Sequence, residues 1–428
     1  MIPFLKRSVL YGSFLGMIMQ SSAQEAWVQI GSPTSSSLQR LHFIDNLTGW
    51  AAGQSGTIIH TTNSGQSWVI QSSGVETNIH NIFFLNENLG WALTWTTDSP
   101  YRTLILETTD GGASWITKVY GQDNIFMNTI FFLDSLNGWM GGFGGVVVKT
   151  TNGGLDWTPT VSSGLCSGLP VLDFLFHSSQ YAFANGGARD LVGVIWRTTN
   201  YGEEWSSVCL GPEPIQQLHV FDSLNIIGVG GDFEYGSSVV RTTDGGSSWN
   251  YTALQVFGVA SALSFRTGSE GWAPLGFAQE FIRTLDSGKT WSQVPTPGRS
   301  SILDLVFTDS SHGYAVGSGG VILRYDSSLV NVAEDDQRDF PKTYRLHQNY
   351  PNPFNPTTTI EFSLPRQSFV QLKVYNLMGQ EVATIVSENL AAGTYSKQWD
   401  AAGVGGGMYL YRLITKDFVE TRKMIVLK

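Results

Sequence analysis

One eight-residue phrase recurs six times along this chain and decides most of what the chain can fold into. It reads TTNSGQSW at Thr61–Trp68, TTDGGASW at Thr108–Trp115 and TTNGGLDW at Thr150–Trp157. It returns as TTNYGEEW at Thr198–Trp205, TTDGGSSW at Thr242–Trp249 and TLDSGKTW at Thr284–Trp291. Successive tryptophans lie 47, 42, 48, 44 and 42 residues apart. A unit of that length, made of short apolar runs between glycines, cannot bury a core alone. It must stack on its neighbours, as propeller blades do. Within the phrase, Asp or Asn at the third position can accept hydrogen bonds from nearby backbone N–H groups, and Gly at the fifth can take positive φ at no steric cost. The phrase is therefore a turn between strands, and its Trp opens the next strand with a large apolar surface.

A second element alternates with the first: an apolar strand, a polar turn, then Gly and an aromatic residue, as in IFFLDSLNGWMGG ending at Gly142. It occurs seven times, ending at Gly53, Leu93, Gly142, Gly187, Gly231, Gly276 and Gly320. Each unit then reads as four strands, in the first near Leu38–Asp45, Gly49–Gly53, Thr57–Thr62 and Ser67–Ile70. After Gly320 the turn phrase fails, leaving Asp326 but no Gly or Trp. The missing strand is found far upstream, where Ala26-Trp27-Val28-Gln29 resembles Ser67-Trp68-Val69-Ile70. The expected fold is all-β: a seven-bladed propeller whose last blade is completed by the N-terminal strand, which closes the ring.

The phrase resembles the Asp-box, or neuraminidase-type, repeat, with Asn63, Asp110, Asn152, Asn200, Asp244 and Asp286 at the acidic position. From Trp27 to Ser328 the chain looks like the seven-bladed repeat family of photosystem II assembly factors. That resemblance implies a fold; function has to be argued from a site.

Both ends carry other signals. Lys6 and Arg7 precede a mostly apolar run, Val9 to Met19, and Ser21-Ser22-Ala23 offers small residues for cleavage before Gln24. Residues 1–23 read as a secretory signal peptide, since the run is too short to span a bilayer. The propeller is expected over 24–328 and a polar linker over 329–342. Residues 343–428 have the short strands and turns of a small immunoglobulin-like β-sandwich. Within them, Asn349-Tyr350-Pro351-Asn352-Pro353-Phe354-Asn355-Pro356-Thr357, Tyr375-Asn376-Leu377-Met378-Gly379 and Gly407-Met408-Tyr409-Leu410-Tyr411 resemble the type A C-terminal sorting domain of the type IX (Por) secretion system. The resemblance implies passage through the periplasm and the outer membrane to release or surface display, with the type IX translocon and its sortase as partners.

The chemistry is mostly negative. Lys+Arg 25 against Asp+Glu 35 gives a net charge of −10, which argues against a nucleic-acid binder. No apolar run is long enough for a membrane span, no cofactor or metal motif occurs, and a monomer is expected. Cys166 and Cys209 are the sole cysteines; in an oxidising compartment they are either paired or two buried thiols. The basic series Lys149, Arg197, Arg241, Arg283 and Arg324, just before the turn phrase, reads as solvent-facing or Asp-pairing. No catalytic residues can be assigned. A binding or structural module is preferred, with a secreted sialidase- or xyloglucanase-like glycan hydrolase as the alternative. The best clue is loop length. Connections between the second and third strands grow in blades 2, 4, 5 and 6, all on the face opposite the turn phrases, and such insertions often mark a binding face. They bring together Trp95, Asp98, Tyr101, Arg102, Arg189, Asp190, Asp232, Phe233, Glu234, Tyr235, Phe277 and Glu280, a set suited to a neutral or cationic glycan or polypeptide.

Overall fold

The computed structural model describes residues 26–327, 343–349, 351–366, 368–390, 393–416 and 418–427. The expected signal peptide, 1–23, and the expected linker, 329–342, lie outside the described residues. The chain divides into two compact units, Met1–Asn331 and Val332–Lys428.

The first unit holds seven antiparallel sheets in sequence order, one per blade. Blade 1 comprises Leu38–Phe43, Gly49–Gly53, Thr57–Thr61 and Val69–Ser72. Its outer strand starts after Trp68, later than its expected start at Ser67, because the turn phrase uses its seventh residue to close itself. Blade 7 is Ile302–Phe307, Gly313–Gly317 and Ile322–Tyr325, completed by Trp27–Ile30. The N-terminal strand runs antiparallel to the last, with Trp27 opposite Tyr325 and Ile30 opposite Ile322. Closure therefore stands as expected, and Trp27 packs among Trp272, Phe281, Phe307 and Tyr325. Blade 4 carries an extra strand, Val161–Ser163, parallel to its outer strand Glu204–Leu210. A disulfide joins Cys166, just beyond that extra strand, to Cys209 across a Cα–Cα distance of 5.9 Å.

A repeated aromatic step fastens blade to blade. The innermost strand ends in Phe, paired with the first residue of the second strand: Phe43 with Gly49, Phe84 with Gly90, Phe132 with Gly138. Gly is needed there because a Cβ at Gly49 would sit 2.5 Å from the Phe43 ring. The next residue is a large aromatic that stacks on the Phe of the following blade: Trp50 on Phe84 at 3.5 Å, Trp91 on Phe132 at 3.6 Å, Tyr314 on Phe43 at 4.1 Å. These stacked rings bury a large apolar area at each joint. The indole of Trp50 also donates to the Gly111 carbonyl in the next turn phrase at 3.0 Å. Two of the basic series, Lys149 and Arg241, act at these joints, and Arg283 pairs with an acid of its own blade. Lys149 reaches the Tyr201 carbonyl of blade 4 at 3.1 Å and pairs with Glu203, Arg241 donates to the Ser287 carbonyl of blade 6, and Arg283 pairs with Glu270 at 2.9 Å within blade 6.

The second unit is a two-sheet sandwich. One sheet has Arg345–Leu346, Thr357–Leu364 and Gly393–Asp400; the other runs in the order Glu381–Leu390, Ser368–Tyr375, Gly407–Ile414, Val419–Val426. The proline-rich entry is irregular, as prolines without N–H groups require. It is held by polar anchors: the Tyr411 hydroxyl accepts from Asn349 N at 2.9 Å and donates to His347 O at 2.8 Å. The buried Asn349 amide bonds Pro351 O and Thr358 Oγ1, and Phe354 enters the core.

Candidate functional site

The six turn phrases are structural. In each, the leading Thr hydroxyl donates to the third-position side chain and accepts from the fifth-residue N–H, as Thr108 does with Asp110 and Gly112. The third residue then accepts from the seventh backbone N–H. Fourth and fifth residues both take positive φ, 71° and 87° at Gly111 and Gly112. The Ser114 hydroxyl and N–H, with Thr108, hold the Asp110 carboxyl down to about 2, and Thr290 does the same for Asp286. These acids are consumed by their own turns.

On the opposite face the enlarged loops form two groups. In blades 2 and 3, the Trp95 ring stacks on His80 at 3.9 Å and meets Phe126 and Phe143, while its Nε1 donates to Met127 O at 2.8 Å. Tyr101 joins through Phe126 at 5.9 Å, Arg102 is paired with Asp123 at 2.6 Å, and Asp98 is exposed. In blades 4 to 6, Phe233 lies 6.2 Å from Phe257 and 6.4 Å from Phe277, with the Arg189 guanidinium 6.0 Å from its ring. Phe233, Tyr235, Phe257 and Phe277 are 47%, 46%, 62% and 68% exposed. Asp232 turns inward, its carboxylate accepting from the Glu234 and Tyr235 N–H groups and, at 3.4 Å, from Asp190 N. Glu234 is exposed, and Glu280 pairs with Arg299 at 3.8 Å. Phe257 is the member that sequence reasoning missed, because it sits between blades rather than in an enlarged loop.

A third constellation also escaped the sequence reading. The residue three before the end of each innermost strand is Arg40, Asn81, Thr129, Asp173, Gln217, Ala262 or Asp304, and bulges beside five of these re-aim it. Their side chains tie neighbouring blades at the axis. Asp304 accepts from Leu41 N at 2.8 Å, Thr129 and Gln217 donate to Asp173 at 3.4 and 3.5 Å, and Gln217 accepts from Leu263 N at 2.6 Å. Burial pushes the Asp304 carboxyl up to about 6, against the pull of Arg40, and raises Asp173 in the same way. Arg40 thus feels acids from blades 4 and 7 at once, which only the central axis permits. A recurring polar residue in an otherwise apolar strand was the signal for this ring.

Comparison with known proteins gives these features a context. Residues 348–427 match the family model of the secretion system C-terminal sorting domain. The photosystem II assembly lipoprotein Ycf48 of Picosynechococcus is 24% identical over 325 residues, 72% of this chain and 89% of that protein. Ycf48 from Cyanidioschyzon merolae superposes with a TM-score of 0.57 at 18% identity, covering 71% of this chain and all of that one. Ycf48 bound to D1 peptide gives a TM-score of 0.56 at 20% identity, covering 71% and 97%. The sorting domain implies export through the type IX system to the cell surface or the medium, and no helix among the described residues is long and apolar enough to cross a membrane. The chain thus joins a propeller like those of Ycf48 to a C-terminal domain of the secretion-system sorting family.

Proposed function

We propose that this protein is an exported binding propeller that holds a polypeptide on the face opposite its turn phrases. Residues 1–23 serve as export signal, 24–328 as the binding domain, 329–342 as linker and 343–428 as the sorting domain. The observation that carries the reading is the exposed patch of Phe233, Tyr235, Phe257 and Phe277. Clustered exposed aromatics on a folded domain mark an interaction surface. The exposed Glu234 and Asp190 beside this patch outnumber its one nearby cation, Arg189, which favours a neutral or basic segment. The D1 peptide bound by Ycf48 supports a polypeptide over a glycan.

The test probes peptide and glycan arrays with the purified protein and with the double variant Phe233→Ser, Phe277→Ser. Peptide spots retained by the parent and lost in the variant, at unchanged melting temperature, are the expected result. Retention of glycans alone would replace the polypeptide with a sugar, and binding that survives both substitutions would remove the site from this face.

A further inference from the structure

The enlarged loops of blades 4 and 5 are gathered around one buried carboxylate. Asp232 is 1% exposed and accepts from the N–H groups of Glu234 and Tyr235 in its own loop and of Asp190 in the loop of blade 4. An Asp that bonds the backbone two and three residues on closes a tight turn, and the third bond ties that turn to its neighbour. Arg189, Asp190, Phe233 and Glu234 are therefore held close together, and all four are exposed. Asp190 and Glu234 spend their backbone N–H groups on Asp232, while their carboxylates have no hydrogen bond or ion pair among the described residues.

The rings beside these acids present their faces. Phe233 lies 6.2 Å from Phe257 and 6.4 Å from Phe277, tilted by 44° and 36°. Rings splayed in this way touch along part of their rims and leave faces in solvent, and Phe257 and Phe277 are the more exposed pair. The face of a phenyl ring carries the negative part of its quadrupole and attracts cations. The chain already shows this at Phe233, with the Arg189 guanidinium 6.0 Å from the ring centroid. Arg189 makes no ion pair among the described residues, and no cation among them lies over Phe257 or Phe277.

Charge decides between the ligands that such rings could take. Asp190, Asp232 and Glu234 outweigh Arg189, which disfavours an anion. An uncharged ring would leave both free carboxylates unused. A guanidinium uses everything present, because it lies flat on a phenyl face while the N–H groups in its plane reach a carboxylate.

We propose that this patch takes the side chain of an arginine in its polypeptide partner, laid on the Phe257 and Phe277 faces, with Glu234 and Asp190 supplying the countercharge. The proposal rests on the polypeptide reading above and adds the residue that the partner must present.

The probe is an array of heptapeptides, Gly-Gly-X-Arg-X-Gly-Gly with X drawn from the uncharged amino acids. Each is printed beside a twin in which citrulline, the neutral isostere, replaces Arg, and the best-retained pairs are titrated in solution. The Arg peptides should bind about tenfold more tightly than their twins, the sum of one cation–π contact and one exposed ion pair. Glu234→Gln with Asp190→Asn should bring that ratio close to one; Asn tolerates the positive φ of 55° at position 190. Phe257→Leu with Phe277→Leu keeps apolar area but removes the ring faces, and should lower the ratio about threefold. Glu87→Gln with Glu204→Gln removes two exposed acids from the turn-phrase side and should leave it unchanged. Melting temperatures are read for every variant. Peptides that bind without preferring Arg overturn this proposal and leave the polypeptide reading standing, whereas no retention of any peptide removes both. An Arg preference unchanged in either folded patch variant places the contact elsewhere. One that falls as far in Glu87→Gln with Glu204→Gln is bulk attraction by the net charge of −10. Either result overturns the proposal.

Discussion

Replacing Trp27 by Ala tests the closure of the ring. Trp27 is 2% exposed and its ring lies 5.3 to 5.5 Å from those of Phe281, Phe307 and Tyr325, with Trp272 edge-on at 6.0 Å. Truncating a buried Trp to Ala costs about 3–5 kcal/mol in lost transfer energy and residual cavity. At roughly 2–4 °C per kcal/mol for a domain of this size, the propeller transition should fall by about 10 °C. Trp27→Phe supplies an internal control. The indole Nε1 has no hydrogen-bond partner among the described residues, so only area is lost, and the fall should stay near ~1 kcal/mol. Differential scanning calorimetry of the two variants reads both values. A Trp27→Ala transition within about 2 °C of the parent would refute the argument, since a strand that contributes that little is not holding the ring shut.

Other expectations follow from the same geometry. Burial lowers the His42 imidazole to about 4, with Nε2 set against Phe84 O; between pH 6.5 and 4 the unfolded chain binds the proton that the fold refuses, so stability declines as pH falls through that window, by up to about 3 kcal/mol. Urea melts at pH 7 and 4.5 should show a shallower decline in His42→Gln; an identical slope would remove His42 as a cause. Asp304, raised to about 6, works with the opposite sign, so Asp304→Asn should steepen the acid decline in the same melts. Cys166 and Cys209 close a separation of 43 residues, worth about 4 kcal/mol on the chain-entropy model, and Cys166→Ser with Cys209→Ser should melt earlier, whereas coincident melts would show the bridge to be dispensable. Deleting residues 343–428 should leave a folded propeller in the periplasm, and its normal appearance outside the cell would show that export does not depend on that domain.

Blade number and closure were legible because they rest on local chemistry. A turn with two left-handed residues needs Gly at the fifth position and an acceptor at the third, and both recur in register from Asn63 to Asp286. The strand opposite Tyr325 could be found because Trp27 copies the tryptophan that follows each turn. What stayed hidden was set by distant geometry. The bulges in the innermost strands break simple alternation, so Arg40, Asp173 and Asp304 did not read as one ring. Val161–Ser163 has no turn signal of its own and pairs with residues some forty positions later. Trp95 and Asp232 were nominated as contact residues from their loop positions alone; the structure gives the Trp95 indole an internal partner and turns the Asp232 carboxylate into its own loop.

The strand that completes blade 7 precedes every other strand of the ring, and its partner lies nearly 300 residues further on. During vectorial export it emerges first and waits longest, while blade 7 presents an open edge at Ile322–Tyr325 until it arrives. Nothing in the pairing distinguishes the chain's own Trp27–Ile30 from that of a neighbouring molecule. Two chains crossing side by side can exchange these strands and leave as an interlocked pair with every native contact intact. Any such exchange would rise with the local concentration of chains whose rings are still open, since it needs two of them at once.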